Sequence, residues 1–206
     1  MNTLRYLVAV WSVAFMPPAI LFWFAVHPFV GFWRRVGVAR TYWVLVPAML
    51  VMAAAIVAFR DPIMAVDYGF HWEVAGPGIA LFLLGMVFDK RAKDHLKFKT
   101  LAGVPELRGD GQTGKLLTEG IYARVRHPRY TGVTCSTAGM ALITNYLAMY
   151  ALALFAVLGV YAITVFEERE LLERFGEEYG RYRARVPRFI PGPRRSGSAA
   201  ETDTTP

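Results

Sequence analysis

The sequence predicts an all-α integral membrane protein of about five transmembrane helices, closed by a C-terminal helical hairpin and an amphipathic tail helix. Two observations carry this. Of 206 residues, 55% are hydrophobic, 14% aromatic and 19% charged, where soluble domains hold about 25% charge and 45–50% apolar residues. Four stretches contain no Asp, Glu, Lys or Arg: residues 6–33, 41–59, 74–88 and 130–166, of 28, 19, 15 and 37 residues. Together they make nearly half the chain. A soluble globular enzyme, a disordered chain and a disulfide scaffold are excluded. The lone Cys135 permits no internal disulfide and lies inside an apolar span.

A helix needs roughly 20 apolar residues to cross about 30 Å of hydrocarbon. Residues 6–33 supply the first span, with Pro17-Pro18 expected to kink it. Only Arg5 precedes that run, and the run is too long for a cleavable signal. Residues 41–59 supply the second. The third, 74–88, is short and borrows Phe70, His71 and Trp72 as an interfacial belt. The 37-residue stretch is too long for one crossing, and Thr144-Asn145-Tyr146 near its middle supplies the turn of a two-helix hairpin.

Orientation follows the basic residues. The loop after the first span carries Arg34, Arg35 and Arg40, residues 89–129 carry ten basic residues, and the tail after 166 carries eight. The loop after the second span carries Arg60 among Asp61, Asp67 and Glu73. Five spans then place the N-terminus outside and the two long polar segments together in the cytoplasm. The net charge of +7 lies in these loops and the tail, which suits anionic lipid headgroups rather than nucleic acid. Three parts result: residues 1–110, with three spans and an expected role in substrate access; 111–191, the interfacial motif, hairpin and tail helix; and 192–206, expected to be disordered. Leu171, Leu172, Phe175, Tyr179 and Tyr182 recur at helical spacing within the tail.

Gly109–Lys115 imitates a phosphate-binding loop, but Leu116 stands where a Ser or Thr is needed and no strand precedes it, so a glycine turn is expected. His27, His71, His95 and His127 show no metal-ligand spacing, and no metal is expected. No Ser-His-Asp arrangement appears.

The stretch 117–132 gathers Arg124, Arg126, His127, Tyr122 and Tyr130 just before the hairpin, with Pro128 suited to a helix start. Such a place either holds an anion at a helix N-terminus or anchors the chain at the interface. Glu167-Glu168 follow the last span and call for cationic partners, for which Arg124, Arg126 and Arg129 are the candidates. The pair of patches either grips a zwitterion or begins a solvated tail helix.

These stretches together resemble the isoprenylcysteine carboxyl methyltransferase family and the related phospholipid N-methyltransferases. The first motif is Gly120-x-Tyr122-x-x-x-Arg126-His127-Pro128-x-Tyr130-x-Gly132. The second is Glu167-Glu168-x-x-Leu171-x-x-x-Phe175-Gly176-x-x-Tyr179-x-x-Tyr182-x-x-x-Val186-Pro187-Arg188. Ile121 departs from the Pro that many members carry there. The resemblance implies an integral-membrane methyltransferase that uses S-adenosylmethionine without a soluble Rossmann domain. It implies cofactor contacts from Tyr122, His127, Tyr130, Gly132, Glu168 and Tyr179, with Arg126 and Glu167 as catalytic candidates. It also implies a lipophilic or prenylated acceptor entering from the bilayer, such as an isoprenylated cysteine. In-line transfer to a carboxylate needs no general base, and no side chain stands out as one. NADPH-dependent sterol and isoprenoid reductases share Arg-His-Pro-x-Tyr and are the competing resemblance, although the Glu pair and the chain length favour the methyltransferase. A non-catalytic membrane protein is the third reading.

Overall fold

The computed structural model describes residues 2–94 and 116–192. The turn at Gly109–Lys115, the boundary at 110/111 and nearly all of the expected disordered tail lie outside the described residues. The described chain is helical: α1 (Asn2–Val26), α2 (Val30–Val36), α3 (Val38–Ala58), α4 (Arg60–Ile63), α5 (Trp72–Lys93), a 3₁₀ turn (Gly120–Ala123), α6 (Pro128–Thr144), α7 (Leu147–Phe175) and α8 (Glu177–Arg185).

Four of these, α1, α3, α5 and α7, are long and apolar enough to cross a membrane. The fifth expected span forms as α6, but at 17 residues it sits at the short end of the roughly 17–25 needed to cross. Pro128 fixes its start, and Asn145, with φ 54°, turns the chain directly into α7. Pro17 and Pro18 lie inside one continuous helix, Pro18 buried. Residues 27–29 break the first apolar run, and α2 begins after them with exposed Phe29 and Phe32 at its start.

The second difference concerns the tail. No helix begins at Glu167; α7 runs unbroken through the Glu pair to Phe175, because nothing interrupts it before Gly176 with φ 53°. After α8, Val186-Pro187 ends the helix and the chain continues as a non-helical strap. Leu171, Leu172, Phe175, Tyr179 and Tyr182 do share one apolar cluster, joined by Leu116 and Val186.

The helices pack α3 on α1, α1 on α7, α7 on α6, and α6 most extensively on α5. The last contact is made by glycines seven residues apart on each antiparallel helix. A Cβ on Gly85 would stand 2.6 Å from Gly132 O, and one on Gly139 would stand 2.6 Å from Gly78 O. Without a hydrophobic drive between helices in lipid, such close backbone approach is what holds a pair together.

One end of the bundle is tied by a polar knot. Arg5 is buried and donates to Asp67 Oδ1 at 2.7 Å and to Thr144 O at 2.6 Å, with its guanidinium 4.6 Å from the centre of the Tyr146 ring. Backbone bonds from Tyr68 N to Asn145 O and from Leu147 N to Val66 O close the knot. The N-terminus, the α4–α5 loop and the hairpin turn therefore share this end. The Arg-His-Pro segment, the Glu pair and the strap share the other.

Candidate active site around Glu168

The site is built where α6 begins and α7 leaves its apolar run. Gly120, with φ 60°, opens the 3₁₀ turn. Ile121 and Tyr122 then bury themselves with Val125 against Ala92 of α5. His127 is the N-cap residue of α6. The strap runs alongside: Arg126 N donates to Pro187 O at 2.9 Å, His127 N to Arg188 O at 3.1 Å, and Thr131 Oγ1 to Phe189 O at 3.1 Å. Tyr182 OH donates to Tyr122 O at 2.7 Å, holding α8 to the 3₁₀ turn.

Glu168 is the hub, its side chain 3% exposed. Oε1 lies 2.8 Å from an Arg126 terminal nitrogen, 3.1 Å from His127 Nε2 and 3.0 Å from Arg188 Nε. Oε2 lies 2.6 Å from an Arg188 terminal nitrogen and 3.7 Å from Arg183 Nε. Because the carboxylate accepts, His127 Nε2 carries the hydrogen, and Nδ1 turns towards Glu167 Oε2 at 3.8 Å. A buried carboxylate is stable only with such company, since charge out of water is costly unless paired and hydrogen-bonded.

Three polar atoms in this neighbourhood are buried without a hydrogen-bond partner among the described residues: Arg126 Nε, Glu167 Oε2 and Tyr179 OH. Buried polar groups are normally satisfied, so a donor on a cation, an acceptor on an anion and a hydroxyl all left over mark a place for a polar ligand. Burial, with Glu168 nearby, pushes the Tyr179 phenol above its ordinary value, and burial does the same for Tyr182. Burial, with Glu167 nearby, pushes the Tyr122 phenol up to about 12. All three remain protonated at neutral pH and act as donors rather than bases.

The structure therefore brings together Arg126, His127, Glu167, Glu168 and Tyr179, with Tyr122 held by Tyr182. Tyr130 stands at the edge, its ring 5.9 Å from that of His127 and packed against the buried cluster of Ile20, Ala156 and Ile163. Gly132 faces the other way, where a Cβ would meet Gly85 O at 2.9 Å and Asp89 N at 3.0 Å. Sequence reasoning gave no role to Arg188 or Phe189, whose ring lies 6.1 Å from His127; the Val186-Pro187-Arg188 end of the second motif was the available signal. It also gave none to Glu170, which meets His27 at 3.3 Å and Arg34 at 3.0 Å. Among the described residues no group of His, Cys, Asp and Glu could hold a metal ion.

The chain is 29% identical over 123 residues to protein-S-isoprenylcysteine O-methyltransferase B of Arabidopsis thaliana, covering 59% of this chain and 61% of that protein. It is 34% identical over 109 residues to the protein-S-isoprenylcysteine O-methyltransferase of Schizosaccharomyces pombe, covering 52% of this chain and 37% of that protein. The chain thus spans less than two thirds of either relative. No solved structure matches it. The family model described as phospholipid methyltransferase matches residues 75–178, half of the chain, from α5 through the Glu168 hub into α8. The chain belongs to the phospholipid methyltransferase family.

Proposed function

We propose that this protein is an integral-membrane methyltransferase that moves a methyl group from S-adenosylmethionine to an oxygen of a lipophilic acceptor, a carboxylate such as that of an isoprenylated cysteine. The observation that carries the reading is the set of leftover polar atoms beside Glu168: a cationic donor, an anionic acceptor and a hydroxyl. They suit the carboxylate and ammonium of an amino-acid moiety, the part of the cofactor that most needs charged partners. When bound, S-adenosylmethionine supplies a methyl group already activated on a sulfonium.

The chain's own residues have the remaining tasks. Arg126 Nε and Tyr179 OH donate to the ligand carboxylate, and its ammonium donates to Glu167 Oε2 and to the neighbouring Glu168. His127 spans the two glutamates and holds them in register, with Tyr130, Phe189 and Tyr122 forming the aromatic wall around it. Gly132 lets α6 approach α5 closely enough to fix that wall. The strap covers the site, which excludes water and strengthens these charged contacts. An ionised carboxylate acceptor needs no proton removed, so the side chains need only position it in line. The names of the two relatives, O-methyltransferases of S-isoprenylcysteine, favour oxygen over nitrogen. The basic loops favour a cytoplasmic site with the N-terminus outside, and the acceptor enters from the bilayer between helices.

The test is titration of the purified protein in lipid nanodiscs with S-adenosylmethionine and, separately, with NADPH. Saturable binding of the first, lost in His127→Ala while membrane insertion persists, is the expected result. Binding of NADPH alone would replace this reading with the reductase, and binding of neither would leave a non-catalytic protein.

A further inference from the structure

Both oxygens of Glu168 are already engaged by side chains of the chain itself. A carboxylate offers about four lone-pair sites, and four donors lie within 3.1 Å, with Arg183 Nε a fifth neighbour at 3.7 Å. Three of these donors crowd Oε1, and the Arg188 terminal nitrogen is the one close donor on Oε2, so a ligand cation that approaches Oε2 competes with Arg188. Arg126 is fixed, because it also donates to Arg183 O at 2.7 Å and Val186 O at 3.0 Å and its side chain is 9% exposed. His127 is fixed as the N-cap residue of α6, buried and paired through its backbone with the strap. Arg188 is different. It supplies two of the four close donors, it is the more exposed of the two close arginines at 21%, and its guanidinium also lies 5.3 Å from the centre of the Tyr161 ring. Tyr161, in the apolar stretch of α7, is exposed. A guanidinium that leaves Glu168 therefore keeps a resting place with which it is already in contact, over an aromatic face.

We propose that Arg188 is an exchangeable counter-ion and positioning residue: it holds Glu168 until the ligand's ammonium displaces it, and over Tyr161 it then receives the anionic head of the acceptor. This rests on the methyltransferase reading and adds to it a linkage between the two ligands: the cofactor's ammonium, by releasing a cation from Glu168, prepares the site for an anionic partner. No bond is made or broken in the exchange. Charge is conserved, since one cation replaces another at Glu168.

The test is binding of S-adenosylhomocysteine to the full-length protein in nanodiscs by calorimetry, with initial rates on a prenylated cysteine acceptor, for wild type, Arg188→Met and Arg188→Lys. Arg188→Met should bind S-adenosylhomocysteine about five-fold or more tightly, because a competitor is gone, a size ordinary for coupled sites. Its acceptor KM should rise with little change in kcat. Arg188→Lys, which keeps the charge without the two-pronged fork, should fall between the two on both measures. A residue that merely braces the fold would weaken cofactor binding and lower kcat together, and that result overturns the proposal. Unchanged affinity in a folded Arg188→Met overturns it as well. If Arg188→Met does not fold, Arg188→Lys decides: equal or weaker cofactor binding than wild type sinks the exchange. Failure of the wild type to bind S-adenosylhomocysteine at all would instead remove the cofactor reading, and this proposal with it.

Discussion

Replacing Glu168 by glutamine keeps the shape of the side chain and removes its charge, and the geometry leaves the amide no comfortable orientation. If its oxygen takes the Oε1 place, it keeps Arg126, His127 and Arg188 Nε, but its NH₂ then faces the Arg188 terminal nitrogen now 2.6 Å from Oε2. Flipped, the NH₂ faces three donors instead of one. Either way a donor meets a donor and buried cations lose their counter-charge. Removing one partner of a buried ion pair costs about 3–5 kcal/mol. Because Arg188 is partly exposed and can turn to water, the lower end applies, about 3 kcal/mol. For a chain of this size that is a fall of about 6–12 °C in melting temperature. The assay is thermal unfolding followed by tryptophan fluorescence, run beside limited trypsin digestion, because loosening of Arg188 should expose the strap to cleavage after Arg183, Arg185 and Arg188. Glu167→Gln is the control: its side chain is 29% exposed and its Oε2 has no hydrogen-bond partner among the described residues, so its melting temperature should move by no more than about 2 °C. Equal melting temperatures and equal digestion for Glu168→Gln and wild type would refute the hub.

Three further outcomes follow from the same geometry. Tyr179→Phe removes a buried hydroxyl that has no hydrogen-bond partner among the described residues, so thermal stability should hold or rise by up to about 1 kcal/mol while affinity for S-adenosylmethionine falls about ten-fold; loss of stability with unchanged affinity would contradict its role. Gly139→Leu drives a side chain against Phe82 N and Gly78 O, backbone atoms that cannot turn aside, and should cost about 1–3 kcal/mol or more, read as a lower melting temperature. Tyr179 and Tyr182 titrate above the ordinary 10 in the folded protein, so their contribution is full below pH 10 and is lost as pH rises beyond it. Melts between pH 8 and 11 should show that fall, and the double change to Phe should flatten it.

Much of the scaffold was legible because charge-free length and punctuation are local signals. The hairpin could be placed because Asn145 tolerates the left-handed turn between two apolar runs. The site residues could be gathered because the two motifs sit at the same end of that hairpin. The helix through Glu167 was misjudged at the sequence level, since a change from apolar to charged looks like a boundary while the backbone has no reason to stop before Gly176. Arg188 escaped because its role depends on the strap folding back beside His127, a long-range event with no periodic trace. The pairing of Arg5 with Asp67 escaped for the same reason. The glycines of α5 and α6 were visible, but which faces would meet is decided only by tertiary packing.

The polar knot at Arg5 and the Glu168 hub lie at opposite ends of α7, and the helix between them works as a ruler. From Leu147 to Phe166 it runs 20 residues without a charge, about 30 Å at the usual rise and about the thickness of the hydrocarbon. With one end tied at one surface, the carboxylate at the other is held at headgroup depth, neither in the lipid nor out in solution. On the proposed function, an acceptor would then be sorted by the height of its reactive group above its own greasy anchor. A group one or two bonds from the lipid stem arrives at the right level, and the same group carried outwards on a long soluble spacer passes over the site.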